Sequence, residues 1–440
     1  ERIAKEQARL AEEQRLEAER QRAIAEIRQK EAEKQEQIAQ QQRQQAESLR
    51  MSALSKAVAA SSLRMIEEGK GREKAQLALQ AHWLHQQYGN ASGDAELFEI
   101  LLQANAQLKT EAAVTYTVPK AVINTLERRP EQQIWASGSS NGSLSLHLKS
   151  GEAIIWRSGS GGLQGIRDIA LLPQQEHGAI SANGSPIIRV WRQGRRRAEE
   201  LSGHKAKVKA VGLSGNGEWL CSGDAQGRIG IWKVGEAQVA HHAWVDLGER
   251  VASIVPAQSP NTVHIATGQG NIYQLQAEEA QMKKVAQGLG AVLSLAYLEE
   301  QQLLIAGNRQ GKLIFVHLAS GEKVEYWEHK SGITGISLCP EKQLLATSSF
   351  DKTVKIFEMK NMEKKPISLQ AGAWVRDVEF IEQGNAVIFG LENQQLKKIS
   401  INPGQLADSL CQALNGSTKV PAGLWKSIAG DNVPQRNACP

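Results

Sequence analysis

Gly203-His204-Lys205-Ala206-Lys207-Val208 is followed by Cys221-Ser222-Gly223 and then by Gly227-Arg228-Ile229-Gly230-Ile231-Trp232. The same texture returns downstream as His329 through Ile333, Ala346-Thr347-Ser348 and Asp351-Lys352-Thr353-Val354-Lys355-Ile356-Phe357. Short apolar, β-branched runs divided by Gly, Asp and Ser turns read as strands. Working outward, positions equivalent to Trp232 occur at His147, Trp191, Trp232, Leu275, Val316, Phe357 and Ile399, spaced 44, 41, 43, 41, 41 and 42 residues apart. An apolar pair three residues apart opens 24 residues before each: Ile123/Leu126, Val208/Val211, Val251/Ile254, Val292/Leu295, Ile333/Ile336 and Val375/Val378, with Ile166/Ile169 at 25. Two sets of positions recurring in step seven times predict seven four-stranded units, because a period near 40–45 residues marks a ring of blades. The seventh unit runs out of strands after Ile401. An unassigned β-rich run, Ala113 to Val118, precedes the first, so it is expected to complete the seventh and close the ring.

These two stretches resemble WD repeats. The expected architecture is a mainly β, seven-bladed WD-repeat β-propeller over 113–402, preceded by a long helix and a small α-helical bundle. The resemblance implies an internal polar chain in each blade: His204, Ser222 and Trp232 in the third, with Gln226 where the family carries Asp, and His329, Thr347 and Asp351 in the sixth, where Phe357 has no donor. A His bonded to Asp and Ser imitates a hydrolase triad in composition, yet here it reads as a lock between strands. Gly138-Ser139-Ser140-Asn141-Gly142 has hydrolase-like spacing but falls on a strand-to-strand turn. Gly307 through Lys312 is one residue short of a phosphate loop and enters a strand. His82 and His85 on a helix, and His241-His242 in a loop, lack a third ligand nearby in sequence. No catalytic residue, metal site or cofactor is expected.

Composition changes near residue 113. Residues 1–50 carry 11 basic and 11 acidic residues and no glycine, and read as a long charged helix about 75 Å in length. Its thin stripe of Ile3, Leu10, Leu16, Ile24, Ile27 and Ile38 leaves both a solvated spacer and a self-associating coiled coil open. Residues 51–112 read as a bundle similar to a tetratricopeptide hairpin: Leu54, Val58, Ser61 and Met65 share a face, as do Leu77, Ala81, Leu84 and Tyr88, and Leu97, Leu101 and Ala104. Breaks are expected at Gly69-Lys70-Gly71 and from Gly89-Asn90 to Gly93. Residues 403–440 read as a helical cap. Cys221 and Cys339 read as core residues; Cys411 and Cys439 read as reduced thiols of a cytoplasmic protein, their pairing left open. The formal charge of +5 gives no field that calls for nucleic acid. No apolar run is long enough to span a membrane. The start at Glu1 suggests a piece of a longer polypeptide, with a membrane tether in an upstream segment left open.

The first residue inside each apolar pair should face one end of the central channel: Asn124, Arg167, Lys209, Ala252, Leu293, Thr334 and Arg376. Asn124, Arg167, Lys209 and Arg376 fall on neighbouring blades and form the expected partner-binding arc, suited to an acidic or phosphate-bearing group. Arg192, Arg195, Arg196 and Arg197 form a second basic cluster on an outer loop. The whole chain resembles the C-terminal half of bacterial signal-transduction ATPases with WD repeats (the STAND class), on three features: the Glu/Arg/Gln-rich helix, the stretch Leu77-Ala78-Leu79-Gln80-Ala81-His82-Trp83-Leu84 with Tyr88-Gly89, and Leu410-Cys411, Leu424-Trp425-Lys426, Gly430-Asp431 and Cys439-Pro440 after the last blade. That resemblance implies a non-catalytic sensor that binds a protein partner and couples it to an upstream signalling domain. The alternative is a scaffold or adaptor subunit of a larger bacterial assembly.

Overall fold

The computed structural model describes the chain except residues 1, 66–69, 90–94, 111, 118–120, 130–132, 151, 158–164, 173–177, 196, 258, 432, 436 and 440. The breaks expected at Gly69 and at Asn90–Gly93, the strand end Val118, and Arg196 lie outside the described residues. Two compact units emerge, one of Glu1–Leu97 with Gly416–Pro440, the other of Phe98–Asn415.

In the first unit, helix α1 spans Arg2–Arg64 without interruption and α2 spans Gly71–Tyr88. The join expected at residue 50 therefore falls inside one helix; no Gly or Pro interrupts residues 1–68 to end it. Leu10, Leu16, Ile24, Ile27, Ile38 and Leu49 are all exposed on α1. The C-terminal part of α1 pairs antiparallel with α2. Ser55 donates to the Ala81 carbonyl at 2.8 Å and Ser62 to that of Lys74 at 3.1 Å, both bonds buried. Gln76 and Gln80 of α2 donate to the carbonyls of Ser417 and Thr418. No helix among the described residues is long and apolar enough to cross a membrane.

In the second unit, 28 strands form seven four-stranded antiparallel sheets. Blades one to six occupy residues 123–157, 168–201, 208–246, 251–286, 292–327 and 333–370; blade seven occupies 375–400. All seven repeat positions, from His147 to Ile399, lie within two residues of the end of the third strand of their blade. The innermost strands touch one another around the ring, the first blade's meeting the seventh's. Strand Ala113–Thr117 pairs with strand Gln395–Ser400, Val114 opposite Lys398 and Tyr116 opposite Leu396, and so completes blade seven. The ring is a seven-bladed β-propeller closed by strand pairing.

Spacing of three is odd for a strand, where residues i and i+3 point to opposite faces. The chain resolves this with a bulge. In six blades the ladder shifts by one residue inside the apolar pair, passing over Asn124, Lys209, Ala252, Leu293, Thr334 and Arg376. An extra residue returns pair members to the core: Val208, Val251, Val292, Val375 and Val378 are fully buried, and Val211 nearly so. In the second blade the N–H of Arg167 still bonds the carbonyl of Ala182, opposite Asp168 in the ladder.

Helix α3 (Ala95–Leu108) leads toward the ring and α4 (Pro403–Ala413) follows it. Asn402 caps α4, accepting from the N–H groups of Gly404 and Gln405, with Pro403 at the first helical position. Buried Asn105 of α3 donates to the Leu406 carbonyl of α4. The segment expected as a single cap is divided: α4 belongs with the ring, whereas α5 (Ala422–Ala429) lies in the first unit. Cys221 and Cys339 are buried free thiols, and burial pushes the Cys221 thiol up to about 12. Cys411 and Cys439 are each oxidised in a disulfide, a point the sequence left open.

Candidate functional site

Each bulge leaves one residue out of the ladder at the start of an innermost strand. Two of the expected four stand together. Lys209 on blade three is half-buried; burial lowers its pKa, and Arg167 on blade two, Arg250 on blade four and Lys207 lower it further. Every charge that perturbs Lys209 is thus another cation. Arg250 has room because Gly268 faces it: a Cβ there would lie 2.9 Å from the guanidinium. Arg167 is exposed and lies over Gly184, which sits at φ +61°.

The other two are engaged elsewhere. The Asn124 amide donates to the Ile166 carbonyl at 2.9 Å, linking blades one and two. Arg376 forms an ion pair with Glu392 and lies 5.7 Å above the Phe350 ring. Arg167, Lys207 and Arg250 thus stand near enough to Lys209 to act on its charge, whereas Asn124 and Arg376 have partners of their own. Lys207 and Arg250 escaped the sequence reading because each stands just before an apolar pair member rather than after it. On blade six, Thr334 bonds Ser348 and the Val375 carbonyl. Trp374, half exposed, meets Phe350 edge-on at 5.7 Å, so that side offers an aromatic surface which the bulge register alone did not reveal.

Deeper along the inner strands the sign reverses. Asp168 accepts from the N–H of Val211 on the next blade at 2.9 Å, and Asp377 from that of Leu126 at 2.8 Å. Glu379 accepts from Ser337 at 2.6 Å and pairs with Arg128 at 3.4 Å. Burial raises Asp168 and Glu379 to about 7. Glu127 is held well above the carboxylate range by burial and then by Glu379, Asp168 and Asp377.

The polar chains form within the blades. In the third, His204 Nδ1 meets Asp224 at 3.1 Å and Nε2 meets Ser222 at 2.8 Å, while Trp232 donates to the same Ser222 hydroxyl at 2.9 Å. A carboxylate only accepts, so Nδ1 carries the proton. Asp224 occupies the acidic place, two residues before Gln226; its other oxygen holds the turn through the N–H groups of Gln226 and Arg228. In the sixth, His329 bonds Asp351 at 2.9 Å and Thr347 at 2.8 Å. Bonds from His329 and Thr353 outweigh burial and hold the Asp351 carboxyl below its usual range. The second blade has an unanticipated partial copy, Trp191 donating to Ser181 at 2.9 Å. The triad-like set is sealed: His204 and Asp224 side chains have no exposure, and the Ser222 oxygen is occupied by tryptophan.

Other expected features resolve locally. His241 and His242 lie on the outer strand Val239–Asp246, not in a loop, and pack against Trp232 and Trp219. Arg192 is buried and donates to the carbonyls of Gly235 and Glu236, so it belongs to the structure rather than to a surface cluster. Gly138–Gly142 is a strand-to-strand turn.

The WD domain, G-beta repeat model matches residues 195–233 and 321–358. Each match runs from the outer strand of one blade through the third strand of the next, and the two cover the blades that carry complete His–Asp pairs. The chain is 25% identical over 165 residues to WD repeat-containing protein SL1-17 of Schistosoma mansoni, covering 37% of this chain and 54% of that protein. It is 25% identical over 192 residues to Protein LST8 homolog of Dictyostelium discoideum, with 41% and 62% covered. Against a subunit of chromatin assembly factor 1 from Mus musculus it is 25% identical over 202 residues, with 44% and 31% covered. The chain thus spans about half the length of these relatives, all eukaryotic. The solved structure of U3-55K superposes with a TM-score of 0.56 at 15% identity, over 66% of this chain and 98% of that one, a likeness of fold.

Proposed function

We propose that the propeller is a non-catalytic protein-interaction module whose channel mouth takes an acidic segment of a protein partner on Arg167, Lys207, Lys209 and Arg250. The observation that carries this is the approach of Arg167 and Arg250 from the flanking blades, with Lys207, to Lys209, whose pKa burial lowers first and these cations lower further. Like charges brought together cost energy, and an anion binding among them relieves it. WD repeats and a relative named as the subunit of an assembly factor support an interaction role. The resemblance to signal-transduction ATPases supports a finer reading, in which binding at the ring is reported to an upstream domain; a scaffold or adaptor subunit is the alternative.

The test is a titration with a fluorescein-labelled Asp/Glu-rich peptide at low and moderate salt, alongside a phosphoserine peptide. The wild-type chain binds, and affinity falls as salt rises. Lys209→Glu with Arg250→Glu abolishes binding, while the remote Lys365→Glu leaves it intact. Undiminished binding by the double reversal would remove the surface from consideration; preference for the phosphoserine peptide would replace the carboxylate partner with a phosphorylated one.

A further inference from the structure

The seam where the ring closes holds a cavity. Where blades seven and one meet, Ile123, Leu126, Ile388 and Leu396 form a buried apolar cluster among the described residues, with Trp135 and Ile381 partly buried against it. The cavity measures about 900 Å³, within the ~300–1,000 Å³ common for small-molecule sites. It opens toward the C-terminal ends of the innermost strands, at Arg128 and Ile381, away from Lys209.

Its walls have a definite chemistry. Trp135 and His147 stack with ring centroids 3.6 Å apart and planes 5° from parallel, giving one flat aromatic side. Burial lowers the imidazole to about 4, so this side is uncharged at neutral pH. His147 stands at the third-strand position that Trp191, Trp232, Leu275, Val316 and Phe357 fill with buried apolar groups in other blades. Ile134, Phe380, Ile388 and Leu396 make the apolar side, and Tyr116 of the closing strand, half exposed, stands at the mouth. Around these are four cations, Arg128, Arg129, Lys149 and Lys398, against two carboxylates, Glu341 and Glu382. Lys398 is bound to Glu382 and Arg128 reaches Glu379 and the Leu338 carbonyl. Lys149 is exposed and lines the same cavity as the stacked rings.

We propose that this seam cavity is a binding site for a planar, mainly apolar small molecule carrying one anionic group, its ring system against Trp135/His147 and its anion toward Lys149. The probe is 8-anilinonaphthalene-1-sulfonate, titrated by fluorescence with the full chain, with its uncharged counterpart N-phenyl-1-naphthylamine as control. The site predicts saturable 1:1 binding, weaker by about fivefold for Lys149→Glu and lost for Ser145→Phe, which fills the space from the wall. N-phenyl-1-naphthylamine should bind more weakly than the sulfonate and be indifferent to Lys149→Glu. The ring-mouth variant with Lys209→Glu and Arg250→Glu should bind the sulfonate as the wild type does, separating this site from the peptide surface. Lys149→Glu leaves the fold intact because the residue is exposed, so unchanged binding by that variant, or absence of saturable binding by the wild type, overturns the proposal.

Discussion

Ser222→Ala should destabilise the ring more than Thr347→Val, although both remove one buried hydroxyl from equivalent places in blades three and six. Ser222 has no solvent exposure, and its oxygen serves His204 at 2.8 Å and Trp232 at 2.9 Å. Removing it leaves two buried polar groups unsatisfied, each costing about 1–3 kcal/mol, so a loss of about 2–4 kcal/mol is expected. Thr347 is equally buried but serves His329 alone among the ring donors, since Phe357 has no N–H; Thr347→Val should cost about 1–2 kcal/mol. Urea unfolding followed by far-ultraviolet circular dichroism reads both, as shifts of midpoint at constant slope. A double-mutant cycle sharpens the test. In a Trp232→Phe background the indole donor is gone, and Ser222→Ala should cost about 1 kcal/mol less than in the wild type. Equal losses for the two single variants, or strict additivity in the cycle, would refute the claim that one hydroxyl holds both rings.

Three further outcomes follow from groups inside the ring. Carboxyls raised in the folded state keep protons that the unfolded chain has released, so Asp168 and Glu379, at about 7, make stability fall as pH rises from about 4 to 7. Glu127→Gln removes one member of the cluster and should flatten that fall by about 1 kcal/mol in midpoint measurements; an unchanged slope would mean the carboxyls do not act together. His264 is fully buried, neither ring nitrogen has a hydrogen-bond partner among the described residues, and burial lowers it to about 4. Its depressed value works in the opposite direction, stability being lost as pH falls from about 6.5 toward 4, so His264→Phe, which keeps the contact with Tyr297, should gain about 2 kcal/mol over the wild type at pH 4.5, and no gain there would show that the ring is already protonated or solvated. Replacing Val114-Thr115-Tyr116 by Pro-Gly-Pro breaks the closing ladder, should cost about 3 kcal/mol, and should produce oligomers on size exclusion through the open edge; a monomer of native stability would contradict closure by this strand.

What the sequence made legible was whatever recurs. Blade number, strand order and closure by residues 113–117 follow from apolar positions in step, whereas the bulge inside each pair shows only in the ladder. What it hid was whatever depends on neighbours across blades. Asp224 replaces the expected acid at a different offset because the turn lets a side chain two residues earlier reach the same histidine. Arg250 approaches Lys209 from the next blade, and Arg376 is paired with Glu392. The seam cavity had no signature beyond His147 standing where other blades carry larger or more apolar groups, a difference that gains meaning only when the opposite wall is seen. The length of α1 was equally hidden: the change in apolar density near residue 50 marks where packing begins, not where a helix ends.

Closure by the first strand also sets a timetable. Ala113 and its partner Ile399 are about 285 residues apart in the chain, and a ribosome adding about 5–20 residues per second needs roughly 15–60 seconds to deliver the second after the first. Throughout that interval the early strand has nothing to pair with. Six blades can be assembled while the seventh still lacks a side, and the last step is a long-range encounter of the kind that slows folding most. During synthesis this short run is the place where a chaperone, a protease or another nascent copy would find the chain unguarded.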